Sequence, residues 1–411
     1  MSKELSTLKP LNIKNKLASN PTGALKYGVT IKNKDGSEAQ AACPKTTRGL
    51  VALMNQHAVI GGAACHWGGP AAYAEVMSSL HAIMFGQAGK WYENYNFVND
   101  AGHAENGIYA LRANYGFDGL TFKDVSKFRS IESKLTGHGE SHLNPEGVYL
   151  SNGPLGSAVP QAQGLAMADK VIGNDRVTIC VVSDGASMEG EAKEAFASIP
   201  GQAAKGQLNP TVFIISDNNT KLSGRIDADS FDMAPSLNSM ATLGWDVITE
   251  ENGNDLQVVH NTMEEAISKA KANPKKAVCV ILKTVKGFGI KATEEAASGG
   301  HGYPLKAYDA KLPAFIDEIF ENNAPEEFKT WANEILASKP EAKESAPSEI
   351  KSEKVQPGFA RAAIRAAKEG LPVFSLSADL QGSTGIAAFQ KEFPGQFVDM
   401  GIAAPPMVST A

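Results

Sequence analysis

The chain is 411 residues long, 43% hydrophobic and 20% charged, which exceeds one ordinary domain and suffices for two buried cores. A formal net charge of −6 without a clustered Lys/Arg face argues against nucleic acid as a partner, and no apolar run approaches membrane-spanning length. Met1-Ser2-Lys3-Glu4-Leu5 has no hydrophobic signal core and the four cysteines are unpatterned, so a reducing, cytoplasmic setting is the expectation.

In chain order, residues 1–47 form an N-terminal extension with a hairpin signal at Asn33-Lys34-Asp35-Gly36. An α/β domain is expected over 48–330, opening with helical stretches at 71–85 and 105–115. Residues 177–182 and 211–215 are short, β-branched runs of the kind buried on both faces of a sheet, and the Ala/Glu-rich stretch 188–204 between them suits a crossover helix. The two strands are therefore expected to be parallel neighbours. Another strand is expected at 277–282. Residues 331–358 are expected to be a linker, marked by the stretch 337–358, which is loaded with Lys, Glu, Ser, Pro and Ala and lacks apolar periodicity. Beyond it, 359–368 reads as a helix and 371–376 as a strand, the start of a second α/β unit over 359–411 that is incomplete. The fold class expected is α/β, with a mostly parallel sheet covered by helices on both faces.

Ser183-Asp184-Gly185 ends the first of the paired runs and Asp217-Asn218-Asn219 the second. Ligands of open α/β sheets sit at the carboxyl ends of the strands, so Asp184 and Asn218 offer a carboxylate and an amide oxygen there. That donor set suits Mg²⁺, with Ca²⁺ or Mn²⁺ as substitutes, because such an ion takes a few protein oxygens and completes its shell with phosphate oxygens and water. Gly185 removes a side chain where a diphosphate must approach the backbone. A lone Asp-Gly is commonly just a turn. The recurrence of an oxygen donor at the matching point of the next strand is what makes it a candidate cation site.

Eight histidines are present. His57, His81, His142 and His260 lie in no constellation and read as surface or satisfied packing residues. His66, His103, His138 and His301 form a candidate set of proton-shuttling groups, the last three each beside a glycine. Zinc is the rival reading of these histidines, but Cys43, Cys65, Cys180 and Cys279 are scattered and no paired-ligand spacing supports it.

At these residues the chain resembles the transketolases. Cys65-His66-Trp67-Gly68-Gly69-Pro70, Ala101-Gly102-His103-Ala104, Thr136-Gly137-His138-Gly139-Glu140 and Gly153-Pro154-Leu155-Gly156 match successive motifs of that family. So do the cofactor signature from Ser183-Asp184-Gly185 to Asn218-Asn219, Met188-Glu189-Gly190, Lys286-Gly287-Phe288-Gly289 and His301-Gly302-Tyr303-Pro304-Leu305, in order, from about 48 to 308. The resemblance implies a thiamine diphosphate-binding fold. It also implies transfer of a two-carbon ketol unit between ketose and aldose phosphates using thiamine diphosphate and Mg²⁺, a reaction of carbohydrate metabolism and the pentose phosphate pathway.

By the same resemblance, Asp184, Asn218 and the carbonyl of Thr220 are metal ligands. Gly153, Pro154, Leu155, Gly185, His103, His138 and His301 lie against the cofactor, and His66, His103 and His301 meet the substrate and act in catalysis. Glu189 and Glu194 belong to a carboxylate network joining the two active sites of a homodimer. In the second unit, Ser377-Ala378-Asp379-Leu380-Gln381-Gly382-Ser383 looks like the opening loop of the family's pyrimidine-binding domain. Asp379 would then approach the aminopyrimidine, and Arg361 and Ser383 would grip the sugar phosphate.

One departure matters. Where the family has Gly-Ile-Ala-Glu, this chain has Gly401-Ile402-Ala403-Ala404-Pro405-Pro406 and stops at Ala411. The family's glutamate hydrogen-bonds the aminopyrimidine and promotes its imino tautomer, which a methyl group at position 404 cannot do. The expectation is a chain that supplies the diphosphate-binding part of a transketolase, inactive alone, acting as a homodimer or with a complementary chain. The alternatives are a catalytically silent cofactor-binding or scaffold protein, or another thiamine diphosphate enzyme such as deoxyxylulose-phosphate synthase or the decarboxylating component of a 2-oxo acid dehydrogenase. The histidine set favours polyhydroxylated sugars over 2-oxo acids.

Overall fold

A computed structural model describes residues 17–340 and 354–411. The hairpin signal is realised as β1 (Gly28–Lys32) and β2 (Glu38–Ala42), antiparallel with Gly28 opposite Ala42. Gly36 at φ 85° takes the left-handed conformation that its loop needs. Ile31 and Ala41 pack with Ala82 of the helix Gly68–Gly86, so this part of the expected extension is attached to the domain beyond it. Residues 1–16 lie outside the described residues.

The sheet has five strands, all parallel, in the order β3-β4-β5-β7-β6: β3 (Tyr95–Asn99), β4 (Val177–Ser183), β5 (Thr211–Asp217), β6 (Asp246–Glu250) and β7 (Val278–Lys283). Strands β4 and β5 are neighbours in a register that sets Ser183 opposite Ser216, so Asp184 and Asn218 leave the sheet at the same edge. Alternate residues serve two cores, as the period of two requires. Ile179, Val181, Val212, Ile214, Val278 and Val280 meet the helices Gly68–Gly86 and Leu256–Ala272. Cys180, Val182, Phe213, Ile215, Cys279 and Ile281 meet Ala158–Ile172 and Gly190–Ala204 on the other face. A third core joins Pro44–Ile60 to Leu312–Ile319 and Glu326–Ala337.

Several boundaries differ from expectation. The strands β3 and β6 carry Asn96, Asn99, Asp246 and Glu250, a polar pattern that edge strands tolerate and that hides them from an apolar-run search. Residues 331–337, expected in the linker, continue the helix Glu326–Ala337, because Phe328, Ala332 and Ile335 fall on one buried face. Residues 341–353 of the expected linker lie outside the described residues. In the second unit, the helix Gln356–Lys368 packs on Ala387–Glu392 around Ala360, Ile386 and Phe389. The strand expected at 371–376 shrinks to β8 (Ser375–Ser377), which pairs in parallel with β9 (Phe397–Asp399). Leu371 and Phe374 are exposed, so nothing extends that strand toward its start.

Candidate active site

A cavity of about 400 Å³ opens at the carboxyl ends of β4 and β5. On its floor, Asp184 accepts hydrogen bonds from the backbone N–H of Asn218 at 2.7 Å, Asn219 at 2.6 Å and Gly185 at 2.8 Å. One carboxylate therefore ties the two strand ends together. Burial, and then the neighbouring Asp217, push its carboxyl up to about 6. Asn218 Oδ1 is buried and has no hydrogen-bond partner. A buried acceptor left unpaired costs free energy that a cation would recover, so the donor set of Asp184, Asn218 and the Thr220 carbonyl fits a Mg²⁺-type ion. A Cβ on Gly185 would stand 2.8 Å from Ile402 Cδ1, so the room over this glycine is partly taken by the second unit.

Three imidazoles form the opposite wall. The ring centroids lie 5.0 Å apart for His66 and His103, 5.2 Å for His66 and His301, and 5.0 Å for His103 and His301. Two distant segments are zipped to achieve this: Trp67 N–H donates to His301 O at 3.1 Å and Gly68 N–H to Gly300 O at 2.8 Å. His66 O in turn accepts from Asn55 and Asn106. Burial drives His66 down to about 4 and holds His103 and His301 well below the usual imidazole range, with Lys286 adding to each. The rings are therefore neutral at neutral pH, each with one donor and one acceptor nitrogen. Nδ1 of His66 and of His301 are buried without partners.

His138 also lines the cavity, and its pKa is lowered by burial and Arg129. Its loop is held by Asn152, which accepts from Gly139 N–H at 2.7 Å and donates to Glu105 at 3.0 Å. Gly153 and Leu155 line the cavity. Their loop is anchored by Asp100, at the end of β3, which accepts from Gly156 N–H at 3.0 Å and Ala158 N–H at 3.1 Å. Pro154 is exposed beside this wall.

The remaining expected residues divide. Glu189 and Ala404 line the cavity, whereas Glu194 is exposed on the outer face of the helix Gly190–Ala204. Asp379 lines the cavity, and its carboxylate is engaged by a loop of the first domain. It accepts from Lys221 Nζ at 2.9 Å, Leu222 N–H at 2.8 Å, Ser223 N–H at 3.1 Å and the Ser223 hydroxyl. Asp399 takes a second bond from Lys221 Nζ at 2.9 Å. Arg361 and Ser383 are exposed and outside the cavity, Ser383 turned back on Leu380 O, so the structure does not bring them to the other site residues.

Three residues here escaped sequence reasoning. Asp100 follows the unpredicted β3, Lys221 carries no local pattern, and Lys286 was part of a recognised motif without an assigned role. A lysine followed by two spaced glycines at a strand end was the available signal for Lys286. Its ammonium is buried in the cavity wall, and desolvation lowers it to about 8.

A parallel α/β sheet with a ligand cleft at its carboxyl edge is the class that this fold and site define. The chain belongs to the transketolase family: the family described as "Transketolase, thiamine diphosphate binding domain" matches residues 45–358. It is similar to the transketolase of Nostoc sp., 33% identical over 237 residues, which are 54% of this chain and 33% of that protein. Against the transketolase of Bacillus subtilis it is 31% identical over 232 residues, again 54% and 33% of the two chains. These alignments span about a third of the relatives' own length. Among solved structures, Pichia stipitis transketolase in complex with sedoheptulose-7-phosphate matches at TM-score 0.52 and 22% identity, over 87% of this chain and 60% of that one. The Campylobacter jejuni transketolase matches at TM-score 0.52 and 23% identity with the same coverage, a likeness of fold. Among the described residues, no helix is long and apolar enough to cross a membrane.

Proposed function

We propose that the cavity binds thiamine diphosphate through Mg²⁺ held by Asp184, Asn218 Oδ1 and the carbonyl of Thr220. Gly153, Leu155 and His138 would flank the cofactor, with His66, His103 and His301 facing a sugar phosphate. The observation that carries this reading is the unpartnered, buried Asn218 Oδ1 beside Asp184 at the end of the adjacent strand. Thiamine diphosphate supplies a nucleophilic carbon for ketol transfer. The chain's own part is to fix the anionic end, exclude water and present neutral imidazoles that donate or accept a proton at a substrate hydroxyl. Transfer of a two-carbon ketol unit between ketose and aldose phosphates is the reaction we assign, completed by a second copy or a complementary polypeptide. Glu189 on the cavity wall is the surviving candidate for a carboxylate link between such sites.

Calorimetry tests the assignment. Asp184→Ala should abolish Mg²⁺-dependent binding of thiamine diphosphate, and unchanged affinity would refute it. The second reading, a silent cofactor-binding protein, is favoured by Ala404, whose methyl group lines the cavity. It would be upheld by intact cofactor binding without ketol transfer, both alone and with a polypeptide carrying the remaining part.

A further inference from the structure

A second cavity, of about 480 Å³, opens beside the last turn of the helix Glu105–Tyr115 and shares no lining residue with the cleft described above. Arg112 lines it. The residue is 3% exposed, yet among the described residues it forms no ion pair. Its Nε donates to His81 Nε2 at 3.3 Å and its Nη1 to Gly147 O, both neutral acceptors. No hydrogen bond among the described residues reaches Nη2, so a guanidinium with five N–H donors has donors to spare. Glu105 acts on Arg112 through space, but its carboxylate accepts instead from Asn99 at 2.9 Å and Asn152 at 3.0 Å. The space of about 20 Å³ that Glu105 and Arg112 both line has room for one water and for no anion. A buried cation so incompletely met is costly unless an anionic acceptor completes it.

The rest of the lining divides into an apolar wall and an acidic rim. Phe117, whose ring centroid lies 4.9 Å from Arg112 Cζ, forms the wall with Leu120 and Leu135. Three carboxylates also line the cavity. Asp124 is already engaged, accepting from the N–H and hydroxyl of Thr121 and facing Lys134. Asp118 and Glu146 are exposed, and their side chains have no hydrogen bond or ion pair among the described residues. The cavity is therefore polarised, with a buried cation at its base and two unpaired anions at its edge.

We propose that this cavity binds a small zwitterionic amino acid, its carboxylate on Arg112, its hydrocarbon part against Phe117, Leu120 and Leu135, and its ammonium toward Asp118 and Glu146. The planar fork of a guanidinium matches a carboxylate in a two-point contact. A plain anion would meet two carboxylates at the rim, and a plain cation would meet Arg112 at the base. A ligand carrying both charges answers both ends, and the apolar wall accommodates the carbon chain that separates them. The site stands apart from the cofactor reading and holds whether or not that reading does.

The test uses the full chain in ligand-observed NMR titrations with four probes. Leucine and 6-aminohexanoate carry both charges, whereas hexanoate and hexylamine carry one each. The tighter of the two zwitterions should bind about threefold or more tightly than either singly charged probe. Arg112→Met should weaken it by about tenfold to a hundredfold, the loss of a charge-assisted contact. Asp118→Asn combined with Glu146→Gln should weaken it by about twofold to fivefold and leave hexanoate binding no weaker. Should Arg112→Met not fold, the rim variant, built from exposed residues, decides alone by the same comparison. Zwitterion affinity unchanged in either folded variant would overturn the proposal. So would hexanoate binding as tightly as the zwitterions, the mark of a plain anion site, and so would the absence of zwitterion binding at millimolar concentration.

Discussion

The substitution Lys221→Met should release the second α/β unit from the cavity. Lys221 is 0% exposed, and its partners Asp379 and Asp399 are 3% and 4% exposed. Removing one member of a buried ion pair costs about 3–5 kcal/mol, because the remaining charges are left without compensation, and here two carboxylates are stranded. The unit has only a small core of its own, Ala360, Ile386 and Phe389, while Asp379 retains the N–H groups of Leu222 and Ser223. The lost energy should therefore appear as local opening rather than global unfolding. At 1.4 kcal/mol per decade, β8 and β9 should exchange amide hydrogens roughly a hundredfold to a few thousandfold faster. Hydrogen-exchange mass spectrometry reads this directly, with β4 as an internal standard that should not change. Replacing all three residues together, Lys221→Met with Asp379→Asn and Asp399→Asn, should restore much of the protection. Unaltered exchange at β8 and β9 in the single variant would refute the view that this triad holds the unit in place.

Two further outcomes are expected. His81 donates from Nδ1 to Met77 O at 2.8 Å and accepts from Arg112 Nε at 3.3 Å, and burial, helped by Arg112, lowers it to about 3. Its unfolded value is about 6.5, so the unfolded chain takes the proton first, and stability is full above that pH and falls as pH drops toward the folded value. Between pH 7 and 5 this one group should remove about 2 kcal/mol, a loss that urea titrations should find missing in His81→Gln. Gly299→Ala should cost about 2–4 kcal/mol through left-handed strain and overlap with Lys286, whereas Gly164→Ala, in a helix with open space around it, should be neutral or stabilising by the same measurement.

What could be read from the sequence follows from where each signal resides. Strands β4, β5 and β7 are buried on both faces and announce themselves as β-branched runs, whereas β3 and β6 lie at the sheet edges and carry polar residues. His66, His103 and His301 could be singled out because each belongs to a local motif, whereas their mutual approach to 5.0–5.2 Å comes from contacts between distant segments. The pairing of Lys221 with Asp379 and Asp399 spans 158 and 178 residues, and no local pattern encodes so distant a partnership. Asp379 shows the converse: its motif was visible and the residue does line the cavity, but the loop that engages its carboxylate lies 156 to 158 residues away in sequence and could not be read from it. Arg361 and Ser383 were assigned by motif alone, and their side chains stay at the surface.

Asp100 carries a consequence for how the cleft can move. Because its carboxylate fastens both Gly156 and Ala158 to the end of β3, the loop bearing Gly153 and Leu155 is rigidly joined to the central sheet. The facing side, with Asp379, Ile402 and Ala404, is attached through the Lys221 triad. The two sides of the cleft are thus secured by different chemistry, one by a carboxylate gripping backbone N–H groups and the other by a buried lysine shared between two carboxylates.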